Sequence, residues 1–168
     1  MNGDLEFESI CAMVENVVIA GGGVGALEGL LALRALSDRL RISVVTASRH
    51  FTYPALSVVQ PFGAAPPPRY DWQVIARDRD ASWVPDMLTG VRPHDCEIDT
   101  RDGDPLRYDA LLLALGARPH PALPGAITFA GPRDVLAMTE AIEALAPGRR
   151  YVIALVAPPG ANWTLPLY

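Results

Sequence analysis

Hydrophobic and polar positions follow two different periods along this chain. Residues 17–20, Val-Val-Ile-Ala, form a continuous apolar run rich in β-branched side chains, the pattern of a strand covered on both faces. From Gly25 to Leu36 the period lengthens. Ala26, Leu30 and Leu33 make one row and Leu27, Leu31 and Ala35 the next, which predicts a helix with a broad apolar surface lying on a sheet. Ser37-Asp38, with Arg39 and Arg41, closes that helix, and "ISVVT" (42–46) returns to the strand pattern. Strand, turn, helix and strand fit within about thirty residues, the length of a βαβ crossover.

The pattern then breaks. Pro61, Pro66, Pro67 and Pro68 exclude a continuous helix and any central strand, so a structured connection is expected, then a short helix near Tyr70–Arg77. "SWVPDMLTGV" and "CEIDTRDGDPLRY" read as short strands, with Asp102-Gly103 marking a hairpin. "DALLLALG" (109–116) is a second buried strand ending in glycine. "GPRDVLAMTEAIEALAPGRR" is a helix begun by Pro132 and ended by Pro147-Gly148. "YVIALV" (151–156) predicts another buried strand. The whole is an α/β chain: a parallel sheet flanked by helices on both faces, with strands 17–20, 42–46 and 109–115 adjacent at its centre.

The first strand runs into three consecutive glycines, and their spacing is chemical. Gly21-x-Gly23-x-x-Ala26, with Gly25 between, follows a strand and opens a helix. In a Rossmann-like dinucleotide turn the first glycine permits the tight bend, and the second lets a diphosphate approach the main chain. The third position, Gly or Ala, keeps helix and strand close. Unpaired N–H groups at the helix start then face the phosphates. An Asp or Glu is expected about 20 residues on, at the end of the second strand, to accept ribose hydroxyls. Thr46 stands there instead, with Ser48 and Arg49 beyond. The hydroxyls remain weaker ribose partners. Arg49 is open to a ribose 2′-phosphate, to a diphosphate, or to a plain solvated role.

Composition narrows the function. The 168 residues carry a net charge of −5, which argues against general affinity for nucleic acid or anionic membrane. No apolar stretch approaches the roughly 18 residues of a membrane span. Residues 1–15 read as an acidic leader and not an export signal, because Asp4, Glu6 and Glu8 stand where a signal peptide is basic. The two cysteines, Cys11 and Cys96, form no CxxC pair, so a reducing, cytoplasmic compartment is expected and disulfide reduction is not. His50, His94 and His120 are widely separated.

Three blocks in order, "VVIAGGGVGALEG", "RHFTYPALSVVQPFG" and "LRYDALLLALGARPHPALPG", resemble the FAD-dependent pyridine nucleotide–disulfide oxidoreductase superfamily, particularly its type II NADH dehydrogenase and sulfide:quinone reductase branch. The resemblance covers roughly residues 17–125. It implies FAD as cofactor and NAD(P)H as electron donor, with Ala114 to Gly116 beside the flavin's diphosphate and ribose. Val91 would meet the adenine through its backbone. Phe51 and Tyr53 would either line a flavin or quinone or pack a loop onto the sheet. On this view residues 16–148 form an incomplete FAD-binding domain. Residues 149–168 begin a truncated second nucleotide-binding unit, with Pro158, Pro159, Gly160 and Asn162 in place of its glycine turn. The chain reads as the N-terminal portion of a flavin-dependent NAD(P)H or quinone oxidoreductase, inactive alone and open to self-association at a truncated edge. The alternative is a non-catalytic or degenerate nucleotide-binding module. A third reading, an NADP-binding domain using Arg49, leaves residues 109–125 without a purpose.

Overall fold

The structure, a computed structural model, describes residues 14–117, 120–121, 123–154 and 156. Those residues belong to two compact units. The first combines the chain up to Tyr53 with Pro68–Ala117, and the second contains Pro54–Pro67 and residues after 117. Cys11, most of the acidic leader, and Pro158, Pro159, Gly160 and Asn162 lie outside the described residues.

The first unit is built on a four-stranded sheet of β1 (Asn16–Ala20), β2 (Arg41–Val45), β5 (Ser82–Val84) and β9 (Ala110–Leu113), in the order β5-β2-β1-β9. All three pairings are parallel. The expected neighbours β2, β1 and β9 are therefore adjacent, but β9 is a terminal strand among the described residues. Leu113 is accordingly 53% exposed, so its continuous apolar run does not mean burial on both sides here.

The two faces of this sheet are covered differently. Val17, Ile19, Ile42 and Val44 point one way and are buried with Ala26 and Leu30 of helix α1 (Val24–Leu36) and Trp72 of helix α2 (Trp72–Asp78). Val18 and Val45 point the other way and bury Ile98. Ile98 lies in β7 (Glu97–Thr100), the centre of a three-stranded antiparallel sheet with β6 (Leu88–Arg92) and β8 (Leu106–Arg107). Helices thus lie on one face and a β-sheet on the other, which corrects the expectation of helices on both. The reason is in the pairing: Val91, Ile98 and Leu106 are cross-strand neighbours on β6, β7 and β8 and together supply one apolar face, which suits sheet-on-sheet packing.

Between α1 and α2 the chain makes a hairpin that the prolines concealed, β3 (His50–Thr52) against β4 (Arg69–Asp71). Phe51 packs there edge-on to Trp72, with ring centroids 6.1 Å apart. Its ring is core. The cluster of Pro61 and Pro66–68 falls in the long loop of this hairpin, where a ladder hydrogen bond is not required.

Two side chains tie distant segments. Arg34 donates to the carbonyls of Ser37, Leu40, Arg79 and Asp80, fastening the end of α1 to the turn after α2. Asp109 accepts from the Glu15 and Asn16 N–H groups at 2.9 and 2.7 Å, setting the start of β1 against β9.

The second unit is thinly packed. A nine-residue 3-10 helix at Pro54–Phe62 contains Pro61 in its last turn. It packs with helix α3 (Val135–Glu143), which a single 3-10 turn at Pro132–Asp134 precedes. No residue of α3 is fully buried. Residues 151–154 are not in a strand, and Val152 is 95% exposed, which corrects the expected buried strand at 151–156. A strand needs a ladder partner, and none reaches this stretch among the described residues.

The Asn16 and Glu15 N–H groups hold the Asp109 carboxyl below its ordinary value. Its folded pKa is depressed, so its stabilisation is present above the unfolded value of about 3.9 and is lost as pH falls through the folded one. Asp109→Asn is expected to melt lower at pH 7 and to show a shallower decline in melting temperature between neutral and acid pH. Thermal melts of both proteins against pH check this. An unchanged acid limb would contradict the tether.

Candidate functional site

The carboxyl ends of β1, β2 and β9 converge on the glycine turn. Gly21 has φ +136, a conformation that side chains disfavour, and a Cβ there would run into the Ala114 carbonyl. Its N–H donates to the Val45 carbonyl at 2.9 Å, while Ala114 N–H donates to the Ala20 carbonyl at 2.8 Å. The first glycine therefore lets three strands close on one another at their ends.

Gly23 is different. A Cβ there would meet nothing within 4 Å, so this glycine is not needed by the fold. It caps α1 in extended backbone, with its carbonyl accepting from Ala26 and Leu27, and no side chain caps the helix start. The helix start therefore has open space beside Gly23 and no side-chain cap, so the positive end of its dipole is available to an anion. Ala26 is fully buried against the sheet, and a Cβ added at Gly25 would lie in ordinary contact with Ala114.

Two close approaches were not legible from the spacing alone. A Cβ on Gly22 would strike the Thr46 side chain, and one on Gly29 would strike Leu112. Gly22 is in the turn because Thr46 is at the end of β2. Gly29 brings α1 down onto β9 one helical turn beyond Ala26. Only the surplus of glycine in "GGGVGALEG" hinted at either.

Thr46 is buried, at 8% exposure. Its Oγ1 accepts from the Ser48 N–H at 3.2 Å, and its carbonyl accepts from the Trp83 indole N–H at 3.1 Å. Ser48 donates its hydroxyl to the His50 carbonyl at 2.8 Å. Arg49 pairs with Asp71 at 2.9 Å. That contact is the leading reason the Asp71 carboxyl lies below its ordinary value, with the Gln73 N–H second. Gly21, Gly25, Ala114 and Thr46 are thus gathered directly around the turn, with Gly23 at its open side and Ser48 and Arg49 just past the end of β2. Gly116 follows Ala114 by two residues, at φ +74 and with open space around it. Val91 sits on the antiparallel sheet opposite Ile98, its side chain packed on the second core cluster.

The other candidates are scattered. His50 is in β3, its Nδ1 3.0 Å from Arg69. His94 and Cys96 are exposed in the turn between β6 and β7, which corrects the strand context expected for Cys96. Tyr53 is exposed and does not share the core position of Phe51. No group of His, Cys, Asp and Glu suited to a metal occurs among the described residues. Among the same residues no helix is long and apolar enough to cross a membrane.

No protein-family profile matches the chain. It is 31% identical over 141 aligned residues to the ferredoxin–NAD(+) reductase subunit of the benzene 1,2-dioxygenase system of Pseudomonas putida, covering 73% of this chain and 32% of that protein. Sulfide:quinone oxidoreductase from the hyperthermophilic bacterium Aquifex aeolicus superposes with a TM-score of 0.68 at 17% identity, over 77% of this chain and 32% of that one. Putidaredoxin reductase, in its covalent complex with putidaredoxin, gives a TM-score of 0.60 at 24% identity, over 76% and 34% of the two chains. These two likenesses show the fold. The chain spans 32% of the length of the curated relative it matches.

The two outer glycines of the fingerprint separate fold from binding. Gly23→Ala is expected to cost only about 0.5 kcal/mol, the difference between glycine and alanine at a helix N-cap, because its Cβ enters open space. Gly21→Ala is expected to cost more than about 1 kcal/mol, through both its backbone conformation and the Ala114 carbonyl. Urea denaturation of the two variants measures the difference. Equal losses would show that the turn is not divided in this way.

Proposed function

We propose that this chain, which belongs to the FAD-dependent pyridine nucleotide–disulfide oxidoreductase superfamily, supplies the N-terminal FAD-binding portion of a flavin-dependent NAD(P)H or quinone oxidoreductase. The observation that carries this reading is the contrast within the glycine turn. Gly21 and Gly22 are glycines for the fold's sake, whereas Gly23 leaves an approach to the helix N-terminus that the fold does not use.

In this reading Gly23, Gly25 and the first turn of α1 hold the diphosphate of FAD. Gly21 and Ala26 shape the turn, and Ala114 to Gly116 border the cofactor from β9. Thr46, Ser48 and Arg49 flank its adenosine, and the Val91 backbone meets the adenine. FAD, once bound, would carry electrons from NAD(P)H to an acceptor. The ferredoxin–NAD(+) reductase relative favours a nicotinamide donor, with a ferredoxin or a quinone as the acceptor. Residues 16–148 are the FAD-binding domain. A cytoplasmic location accords with this chemistry.

Residues 1–168 by themselves are expected to bind FAD weakly and to show no turnover with NADH. Micromolar affinity needs about 8 kcal/mol net. A helix terminus and a few N–H bonds, at about 1 kcal/mol each, fall short once ligand ordering is counted. Absorbance and flavin fluorescence, recorded during titration and again after desalting, test this. Weak binding that Gly23→Val abolishes supports the cradle. Binding indifferent to Gly23→Val would overturn it, and a yellow protein retaining stoichiometric FAD would overturn the expected weakness.

A further inference from the structure

A cleft of about 730 Å³ opens beside β5 and α2, and Arg49, Asp71, Gln73, Trp83 and Pro85 are among the residues that line it. It adjoins the end of β2, because the wall residue Trp83 donates its indole N–H to the Thr46 carbonyl. This is the strand end where a nucleotide site of this kind needs an anionic acceptor for its ribose hydroxyls. Thr46 does not supply one. Its hydroxyl oxygen is taken by the Ser48 N–H and its side chain is wedged against Gly22. The Ser48 proton is committed to the His50 carbonyl.

Among the described residues Asp71 is the one carboxylate lining the cleft. Its Oδ1 accepts from the Gln73 N–H at 2.8 Å and its Oδ2 from Arg49 Nε at 2.9 Å. Each oxygen keeps a further lone pair. Arg49 balances the charge, so the site attracts a neutral hydrogen-bond donor in preference to a cation. A diol is such a donor, and the Trp83 ring beside it suits a flat base.

We propose that Asp71, held by Arg49, is the carboxylate of the nucleotide site: it accepts the ribose hydroxyls of an adenine nucleotide whose base lies along Trp83, the role that Thr46 leaves unfilled. This assignment rests on the nucleotide-cradle reading above. The lowered pKa of Asp71 keeps it an acceptor at neutral pH.

The probes are ADP and 2′,3′-dideoxy-ADP, titrated calorimetrically against the full chain and three variants. The unsubstituted chain is expected to prefer ADP about tenfold, the scale of a hydrogen bond to a charged group. Asp71→Asn should abolish that preference while leaving the thermal melt near its original position, since Asn also caps a helix well. Arg49→Gln keeps the carboxylate but removes the ion pair that holds it, so the preference should fall. A preference that persists undiminished in Asp71→Asn or in Arg49→Gln, or that is absent from the unsubstituted chain, overturns the assignment. Gly23→Val separates the two readings. ADP binding that this variant weakens, but with no hydroxyl preference, defeats only the Asp71 assignment. Binding it leaves untouched defeats the cradle, and absence of ADP binding defeats both.

Discussion

The contact on which this structure turns is between two main chains, Gly21 against the carbonyl of Ala114. Parallel strands pair through their backbones, but beyond their last pair they normally diverge into separate loops. Here β1 and β9 stay together past Ala20 and Leu113, because the Ala114 N–H still donates to Ala20 while Gly21 reaches across to Val45. Any side chain at Gly21 would force Ala114 away and open the sheet at its functional end. The turn's composition is thus dictated by strand closure before any ligand is considered. What remains for a ligand is the part of the turn that closure does not consume, the free space at Gly23.

That division also explains why the helix lies where it does. Ala26 and Gly29 bring α1 onto β1 and β9, and Leu30 fills the space between them and the α2 side of the core. Arg34 then fastens the far end of the same helix by four carbonyls. A helix fixed at both ends aims its N-terminus in a set direction. Electrostatic attraction for an anion depends on that direction, since the dipole's effect falls off within about one turn. Packing of small residues along one helix face therefore becomes, at its end, a property of binding.

Much of this was legible in the chain. The βαβ frame followed from Val17–Ala20, the Ala26/Leu30 row and "ISVVT", because local period and tertiary burial agree there. Asp102-Gly103 correctly marked the turn between β7 and β8. The β3–β4 hairpin was hidden, because its strands are three residues each and lie on either side of prolines. The identity of the second face was hidden too, since Val91, Ile98 and Leu106 come from three separate strands and meet only through their pairing. Runs such as "YVIALV" and "DALLLALG" were overread: hydrophobic content states a preference for burial, and only a partner surface satisfies it. In the turn itself, Gly21 and Gly23 stand out by their spacing, while the close approaches at Gly22 and Gly29 and the ion pair of Asp71 emerge only from the fold. Their roles depend on Thr46, Leu112 and Arg49, each distant in sequence.

Thr46 links these levels most closely. A threonine at the end of β2 is compact and β-branched, and it seals the strand end by lodging against Gly22 with little solvent exposure. Its hydroxyl accepts from the Ser48 N–H inside the protein and carries no charge, so the position serves packing and the shape of the following loop. That loop places Arg49 toward Asp71 and ends in β3, whose pairing with β4 carries Asp71 to the start of α2. A carboxylate removed from the strand end thus reappears across a hairpin, from a segment separated by the whole proline-rich loop. Position in the sequence fixes which residue ends the strand. The fold determines which residue supplies the charge nearby.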